Sequence, residues 1–475
     1  MPSMRRWVLV VAIVAAGAGA LRFARAPARG SAPSIIIVVV DTLRADAVGC
    51  YDARHPVTPH LDAIAGEGIR FATTIASAPW TVPSISSLLT SRYPSEHGQG
   101  TLRRVPGPEP TTLTQVLSGR GYETAAFVEL AWPLLTRGFK TYDEVFIDAP
   151  GRLSHLDEVA AAQTFSHAIN WMTARHETPF FMLVQTFEVH DYFSGKPYQK
   201  AFARQKMPAY HGPYLEWAVR DASHGFGTDV IEGLLKAGPD DIAFVRAGYD
   251  AAVRAVDAQI GRLDEALTSA GLRDRTILVV TSDHGEGLSP ELKRVHHGGR
   301  LHDDLLKVPL VMRWPGHLSA GVVDTPVQLL DVMPTLVDLA GVPPLPGLRG
   351  QSLVTPEPRL VSWLGGVRFQ PRALAPRPAF AEESATAVDA TGHRVVSKVQ
   401  QAAVRTASAK LIDGHAGREL YDLARDPGET ENRAGSGGGE VLARQLVDFR
   451  RRLGPLEISQ DATVMQTLRS LGYIK

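Results

Sequence analysis

The feature that most constrains this chain is a run of six consecutive β-branched residues, Ile35–Val40, bounded by Pro33 and Asp41. Such a run has no alternating polar face, so it predicts a strand buried on both faces, as in the middle of a parallel sheet. Apolar runs at 275–282 and 180–184 predict two further strands of this kind. Because helical patterns alternate with these runs, we predict an α/β fold with a central, mostly parallel sheet sandwiched by helices.

Helical periodicity is clearest between Ala251 and Thr268, where apolar residues recur at spacings of three and four and form one face. A short helix is predicted within 58–71 and another at Leu329–Leu339. The stretch from Asp191 to Gly227 is aromatic but has no clear period. It is therefore expected to be a loop over the functional site.

The first 30 residues have the pattern of an export signal. Arg5 and Arg6 precede an uncharged run from Trp7 to Leu21, and Ala24–Ala26 has the small-x-small pattern of a cleavage site. The run is shorter than the roughly 20 apolar residues that cross a bilayer comfortably. We predict that residues 1–30 are a signal peptide or a membrane anchor, with the rest of the protein periplasmic or anchored outside the cytoplasm.

Composition limits the remaining organisation. Hydrophobic residues make up 44% of the chain, enough for a large core, and we predict a catalytic domain at 31–375. A stretch rich in Pro and Arg then leads to a small C-terminal α+β subdomain at 376–475. The single Cys50 excludes an intramolecular disulfide and a multi-cysteine zinc site. Lys and Arg number 50, as do Asp and Glu, so charge gives no argument for a nucleic-acid partner.

Candidate metal ligands follow two of the predicted strands. Asp41 comes directly after the first, and Asp283 and His284 follow the run at 275–282. The carboxyl ends of parallel strands lie at one edge of a sheet, where ligands of open α/β folds bind. Two carboxylates and one imidazole suit Mn, Zn, Mg or Ca and do not suit a soft metal.

A hydroxyl and two histidines complete the candidate site. Thr81 is predicted as the N-cap of a helix with Pro83 in its first turn, where the helix dipole stabilises an anionic group. A threonine becomes a nucleophile when a metal lowers the pKa of its hydroxyl. His297 is a candidate to protonate a leaving oxygen or bind an anion, and His190 follows the third strand. Taken singly, each residue is more often a cap or a structural histidine, so the hypothesis depends on their joint order.

At this point the chain resembles the sulfatases of the alkaline-phosphatase-like superfamily over nearly everything after residue 30. The similar segments occur in the family's order, which is more specific than any one of them. They are Val39–Asp46, Thr58–Asp62, Gly68–Phe71, Leu88–Gly98, Thr281–Glu286, Leu301–Asp304, Asp331–Leu336 and Glu419–Leu423.

Two departures from the family pattern bear on mechanism. Typical sulfatases convert a Cys or Ser in the motif Cys/Ser-x-Pro-x-Arg to formylglycine. This chain has Thr81 and Ile85 at the first and last positions, and formylglycine cannot be made from threonine. It also has Thr42 where the family often carries a second Asp. A threonine nucleophile resembles the branch that transfers phosphoglycerol or phosphoethanolamine headgroups.

The resemblance implies one divalent metal ion held by Asp41, Thr81, Asp283 and His284, with Mn, Mg or Zn more in keeping with this branch than Ca. It implies a substrate-side role for His297 and His190. We therefore predict an exported, metal-dependent hydrolase of sulfate or phosphate esters that acts on a small molecule, a glycan or a lipid headgroup.

Two alternatives stay open at this point. One is a headgroup transferase, although such enzymes usually carry several membrane helices. The other is a catalytically dead binding module, favoured by Ile85 and Thr42 and opposed by the intact set of ligand residues.

Overall fold

The structure is a computed structural model of the whole chain. It describes residues 32–99, 109–129, 135–145, 147–149, 152–153, 160–174, 178–193, 196–216, 228–357, 368–383, 386–388, 394–396, 401–414 and 417–452. The predicted export signal at 1–30 lies outside these residues.

The strands include the three long buried ones that the sequence predicts. In chain order they are β1 Ser34–Val40, β2 Ile69–Phe71, β3 Thr74–Ile75, β4 Glu123–Val128, β5 Thr141–Glu144, β6 Ile147–Ala149, β7 Arg152–Leu153, β8 Phe180–Thr186, β9 Thr276–Thr281, β10 Leu288–Ser289, β11 Arg294–Val295, β12 Lys307–Val308, β13 Leu310–Arg313, β14 Gly321–Val323, β15 Val327–Gln328, β16 Val354–Pro356, β17 Phe369–Pro371, β18 Ala379–Glu383, β19 Thr386–Val388, β20 Arg394–Val396, β21 Gln401–Arg405, β22 Ala409–Gly414 and β23 Gly417–Asp422.

The central sheet has eight strands in the order β14-β2-β13-β9-β1-β8-β4-β5. β1 pairs in parallel with both β8 and β9, and β4 pairs in parallel with β8 and β5. β13 runs antiparallel to β9 and begins the mixed edge of the sheet. The prediction of a mostly parallel sheet is therefore confirmed.

Both faces of β1 are buried, which explains its unbroken apolar sequence. Ile35, Ile37 and Val39 belong to one hydrophobic cluster, and the alternate residues Ile36 and Val38 belong to another on the opposite face. Since successive side chains of a strand point to opposite faces, a strand between two helical layers needs an apolar residue at every position.

The described helices cover both faces of this sheet. They are α1 Pro59–Glu67, α2 Thr81–Thr90, α3 Pro94–His97, α4 Leu113–Ser118, α5 Ala160–Thr173, α6 Pro197–Lys206, α7 Thr228–Lys236, α8 Pro239–Ser269, α9 Asp303–Leu306, α10 Val332–Leu339 and α11 Glu440–Arg452.

Two helical predictions need correction. The helix predicted from Ala251 runs for 31 residues as α8, because Pro239 occupies its first turn and Asp241 closes its N-terminus against Gly238. The expected loop at 191–227 contains α6, which packs on α8. Its sequence is strongly polar, so apolar residues do not recur at a clear helical spacing. Pro197 occupies its first position, and the buried Gln199 and Ala203 form its inner face.

The C-terminal part forms a second, smaller sheet, as predicted. Its order is β18-β21-β22-β23 and every pair is antiparallel. Helix α11 packs on it through Leu442, Leu446 and Phe449, and the Phe449 ring lies 4.8 Å from that of Tyr93 in the larger unit. The C-terminal unit thus packs on the larger unit through an apolar cluster that includes Tyr93 and Leu330.

Within the described residues, no helix combines the length and the apolar character needed to cross a membrane.

Candidate active site

Three neighbouring strands of the central sheet end at the same level. Val39 of β1 lies opposite Gln185 of β8 on one side and Thr281 of β9 on the other. The residues that follow these strands, among them Asp41 and Asp283, therefore emerge at one edge. This register brings together residues that are more than 200 positions apart in the sequence.

Thr81 reaches this edge from the start of α2. Its hydroxyl oxygen lies 3.0 Å from Oδ2 of Asp41 and 3.3 Å from Nε2 of His284. The prediction that Thr81 is the N-cap is wrong by one position: Trp80 is the cap residue and Thr81 is the first helical residue. Because Thr81 does not cap the helix, its hydroxyl is directed at the acidic cluster.

Helix α2 is fixed in place by its own side chains. Ser84 donates a hydrogen bond of 2.6 Å to the carbonyl of Asp283, which ties the helix to the loop after β9. Ile85, which occupies the position of the family's arginine, is fully buried in the hydrophobic core. This position therefore contributes packing and carries no charge towards a substrate.

The loop after β1 is held in an unusual backbone conformation. Thr42 has a φ of 58°, which is rare for a β-branched residue and costs on the order of 1–3 kcal/mol. Tyr249 of α8 donates a hydrogen bond of 2.8 Å to the Thr42 carbonyl, and the Thr42 amide lies 3.3 Å from Oδ1 of Asp283. The Thr42 hydroxyl donates to the carbonyl of Asp41 at 2.7 Å. These hydrogen bonds together hold the strained turn that positions Asp41.

The group formed by Asp41, Asp283 and His284 fits a divalent cation. All three side chains are fully buried, and Oδ1 of Asp41 and Oδ2 of Asp283 have no hydrogen-bond partner in the described structure. Nε2 of His284 lies 3.6 Å from the first oxygen and 3.5 Å from the second. Unsatisfied buried carboxylate oxygens are costly unless a cation or proton joins them.

The protonation of this group also favours a cation. Burial, with the nearby charge of Asp283 adding to it, raises the pKa of Asp41 well above its usual range. Burial lowers the pKa of His284, so its imidazole is neutral near pH 7. Nδ1 of His284 lies 2.9 Å from the carbonyl of Gly285, which places the ring proton there and leaves the Nε2 lone pair for a metal.

His297 lies in the site and contacts the carboxyl group of Glu286. Its Nδ1 lies 2.9 Å from Oε2 of Glu286, and its ring centroid is 4.6 Å from that of His284. Glu286 is fully buried, and burial raises its pKa to about 8. No role was predicted for Glu286 from the sequence, although it stands two residues after His284. Its proximity to His297 depends on the fold of the loop at 287–297.

His190 is also brought to this group. Its ring lies 5.1 Å from the His297 ring and packs edge-on against Phe187, while its Nδ1 is 3.2 Å from Oδ1 of Asp191. The structure therefore brings together all six residues singled out in the sequence: Asp41, Thr81, His190, Asp283, His284 and His297.

A mostly parallel α/β sheet with acidic residues and a hydroxyl at its carboxyl edge defines the class as an ester hydrolase of alkaline-phosphatase-like fold. The Sulfatase family model matches residues 33–342, which is more than half of the chain. The chain belongs to the sulfatase family, and it is a sulfatase-like hydrolase.

Relatives with assigned names support this placement. An uncharacterized sulfatase of Escherichia coli is 27% identical over 364 residues, covering 69% of this chain and 72% of that protein. Human arylsulfatase A is 24% identical and covers 91% of this chain and 89% of its own length. Among solved structures, the phosphonate monoester hydrolase of Agrobacterium radiobacter superposes with a TM-score of 0.63 at 22% identity, over 89% of this chain and 96% of that one. At this identity the structural likeness shows a shared fold.

Proposed function

We propose that the protein is a metal-dependent hydrolase of sulfate, phosphate or phosphonate esters in which Thr81 is the nucleophile. The observation that carries this proposal is the Thr81 hydroxyl, 3.0 Å from Asp41 and 3.3 Å from His284 in a fully buried acidic group. Asp41, Thr81, Asp283 and His284 would hold one divalent ion, with Mn, Mg, Zn or Ca suited to this ligand set. The names of arylsulfatase A and of the phosphonate monoester hydrolase agree with this range of esters.

The reaction starts at Thr81. A divalent ion held by Asp41, Thr81, Asp283 and His284 would supply Lewis-acid polarisation of the ester and would lower the pKa of the Thr81 hydroxyl. The hydroxyl proton faces Asp41 Oδ2 in the structure, which leaves a lone pair of the Thr81 oxygen for attack on phosphorus or sulfur. The hydroxyl proton passes to Asp41 Oδ2, a bond from the Thr81 oxygen to phosphorus or sulfur forms, the bond to the alcohol oxygen breaks, and a threonine ester results. Water then attacks the phosphorus or sulfur of this ester, the bond to the Thr81 oxygen breaks, the acid leaves, and the hydroxyl takes its proton back from Asp41.

The departing alcohol needs a proton or a hydrogen bond. Glu286 orients the ring of His297 through its contact with Nδ1. We assign Nε2 of His297 to the leaving oxygen or to an oxygen of the transferred group. His190, whose ring lies 5.1 Å from that of His297, is assigned to the same substrate side.

Phosphate and phosphonate esters suit this chemistry better than sulfate esters. A formylglycine enzyme releases sulfate when its gem-diol collapses, and that route needs a second hydroxyl on the same carbon. Thr81 has one hydroxyl, so a sulfated threonine would have to be attacked by water at sulfur. A phosphothreonine is opened by the attack of water on phosphorus, which is the ordinary second step of such covalent mechanisms.

The test is a hydrolysis panel with the purified, manganese-loaded protein and its Thr81→Ala variant. Aryl sulfate, aryl phosphate, phosphodiester and phosphonate esters are compared, and quenched wild-type protein is searched by mass spectrometry for a modified Thr81. We expect phosphate or phosphonate turnover that Thr81→Ala abolishes, and an adduct on Thr81. Thr90→Ala is the matched control, because Thr90 lies at the other end of α2 and bonds to Ser86 within the helix.

Full activity of metal-loaded Thr81→Ala would refute the covalent route. Sulfate turnover that depends on Thr81 would keep the nucleophile and change the substrate assignment. Transfer of the group to an added alcohol, in preference to water, would favour the headgroup transferase.

We also propose that the protein is exported by residues 1–30, on the basis of the basic, apolar and small-residue pattern described above. A fusion of residues 1–30 to a reporter that folds only outside the cytoplasm tests this proposal. Replacement of Arg5, Arg6 and several leucines or valines of the apolar run by Asp should abolish the reporter signal. Reporter activity that survives these changes would contradict export by this segment.

A further inference from the structure

A second group of buried ligand atoms lies beside the proposed metal site. Glu286, His296 and His297 each offer one ligand atom, and these atoms all lie within 4.8 Å of one another. The three side chains are at most 2% exposed. None of them belongs to the group of Asp41, Asp283 and His284, although the rings of His284 and His297 are 4.6 Å apart. The two groups are adjacent and distinct.

The distances within the second group suit coordination of an ion. Oε2 of Glu286 lies 2.9 Å from Nδ1 of His297 and 3.7 Å from Nδ1 of His296. Ligand atoms about 2.1 Å from a tetrahedral ion are about 3.4 Å from one another, which lies between these two values. The distances from the Glu286 oxygen to the two rings are therefore each within about 0.5 Å of the spacing around a tetrahedral ion.

The backbone brings two consecutive rings to one carboxylate. Adjacent side chains in extended backbone point to opposite sides, but His296 has a φ of 60° and the rings of His296 and His297 lie 4.0 Å apart at 84°. Oε1 of Glu286 accepts a hydrogen bond of 2.8 Å from the Gly287 amide, which orients Oε2 towards the two rings.

We propose that Glu286, His296 and His297 bind a second divalent transition-metal ion, and that Zn²⁺ fits this site best. Two imidazoles and one carboxylate form a ligand set that binds zinc in proteins, whereas calcium and magnesium prefer oxygen ligands. The ion would replace the proton between Nδ1 of His297 and Glu286, and its charge would offset the buried carboxylate.

The proposal has a consequence for His297. Coordination at Nδ1 fixes the ring and keeps the proton on Nε2, so His297 acts as a hydrogen-bond donor to a substrate oxygen. The assignment concerns metal binding alone, and it stands or fails independently of the ester hydrolysis proposed above.

Ion content tests the proposal directly. The full protein is stripped with a chelator, reloaded with Zn²⁺, freed of excess metal, and measured by elemental mass spectrometry. We expect two ions per chain in the wild type and one in each of His296→Gln, Glu286→Gln and Asp283→Asn. Because Asp283→Asn keeps only the second site, its Co²⁺ form should show the visible absorption of a tetrahedral nitrogen and oxygen site. Circular dichroism of each variant checks that it is folded.

His167→Gln is the matched control. His167 pairs with Asp143 at 2.9 Å, and their side chains are 48% and 37% exposed. A metal ion bound by this pair would be bound adventitiously at the surface. Its removal should leave two ions per chain. A wild type that holds one ion, lost in Asp283→Asn and kept in His296→Gln, would overturn the proposal. So would a second ion that persists in folded His296→Gln.

Discussion

Oε2 of Glu286 lies 2.9 Å from Nδ1 of His297, and both side chains are almost completely buried. A carboxylate in this position fixes the orientation of an imidazole and determines which nitrogen faces the substrate. In the proposed function Glu286 is therefore a positioning residue that acts through His297.

The first prediction concerns Glu286→Gln. The variant keeps the side chain's shape but lacks the carboxyl group that shares a proton with Nδ1 of His297, so kcat should fall by about 10–100-fold while KM changes little. Steady-state kinetics on the best ester of the panel measures both constants. Glu291→Gln serves as a control, because Glu291 is exposed and lies in the same segment of chain. Equal kcat values for Glu286→Gln and the wild type would show that His297 does not depend on this carboxylate.

The second prediction concerns metal removal. Without an ion, Asp41 and Asp283 are buried side by side with oxygens that lack partners, so the chelated protein should be less stable. Reloading at about 100 times the dissociation constant should add about 2.7 kcal/mol to the unfolding free energy. Differential scanning calorimetry with increasing Mn²⁺ or Zn²⁺ measures the rise in Tm. In Asp283→Asn the metal should raise the Tm less than in the wild type, because the ion bound by Asp41, Asp283 and His284 is lost. A wild-type Tm that does not change with metal concentration would contradict the ligand assignment.

The main architecture could be predicted because its physical cause is local. A strand between two helical layers must be apolar at every position, and Ile35–Val40 shows this directly. The placement of Asp41, Asp283 and His284 at one edge followed from the rule for parallel strands.

Other contacts could not be predicted because they depend on the conformation of irregular segments. Glu286 meets His297 only through the loop between them, and Tyr249 reaches the carbonyl of Thr42 from the middle of a long helix. Neither contact has a sequence period. Helix α6, which begins at Pro197, could not be predicted because most of its residues are polar and its buried face is short.

The third prediction concerns the pH dependence of stability through His97. Its Nδ1 accepts a hydrogen bond from the Gln99 amide at 3.0 Å, and its Nε2 lies 3.0 Å from the Ser87 hydroxyl. Burial lowers the pKa of His97 to about 3, so the folded protein holds the neutral ring. The unfolded chain binds a proton near pH 6.5, so stability from this group is complete above that pH and is lost as the pH falls towards 3.

At pH 5 this effect amounts to about 2 kcal/mol. Urea unfolding of the wild type and of His97→Gln at pH 8 and pH 5 isolates it from the other titrating groups. The glutamine can accept from Gln99 and donate to Ser87 but cannot be protonated. The wild type should therefore lose about 2 kcal/mol more than the variant between the two pH values. Parallel losses in both proteins would mean that His97 is not kept neutral by the fold.

The last prediction concerns the contact between the smaller sheet and the segment that carries His297. Lys410 of β22 is fully buried, and its ammonium group lies 2.8 Å from Asp303 and 2.9 Å from Glu429. The Asp303 amide donates to Glu429, and Arg294, at the other end of the same segment, donates to the Glu429 carbonyl. Lys410 is thus the cation of Glu429 and shares Asp303 with Arg405, which lies 2.9 Å from that carboxylate. These contacts join the C-terminal sheet to both ends of 294–303.

Lys410→Met leaves Glu429 buried without its cation, so the unfolding free energy should fall by about 3–5 kcal/mol. Arg418→Met on the neighbouring strand β23 is the control: Arg418 is 57% exposed and lies 3.5 Å from Asp413, so the loss should stay within about 1 kcal/mol. Urea unfolding measures both variants. Because Asp303 and Arg294 flank His297, folded Lys410→Met should also lose kcat, whereas Arg418→Met should not. Equal stability losses in the two variants would show that the buried pairing does not hold the sheet to this segment.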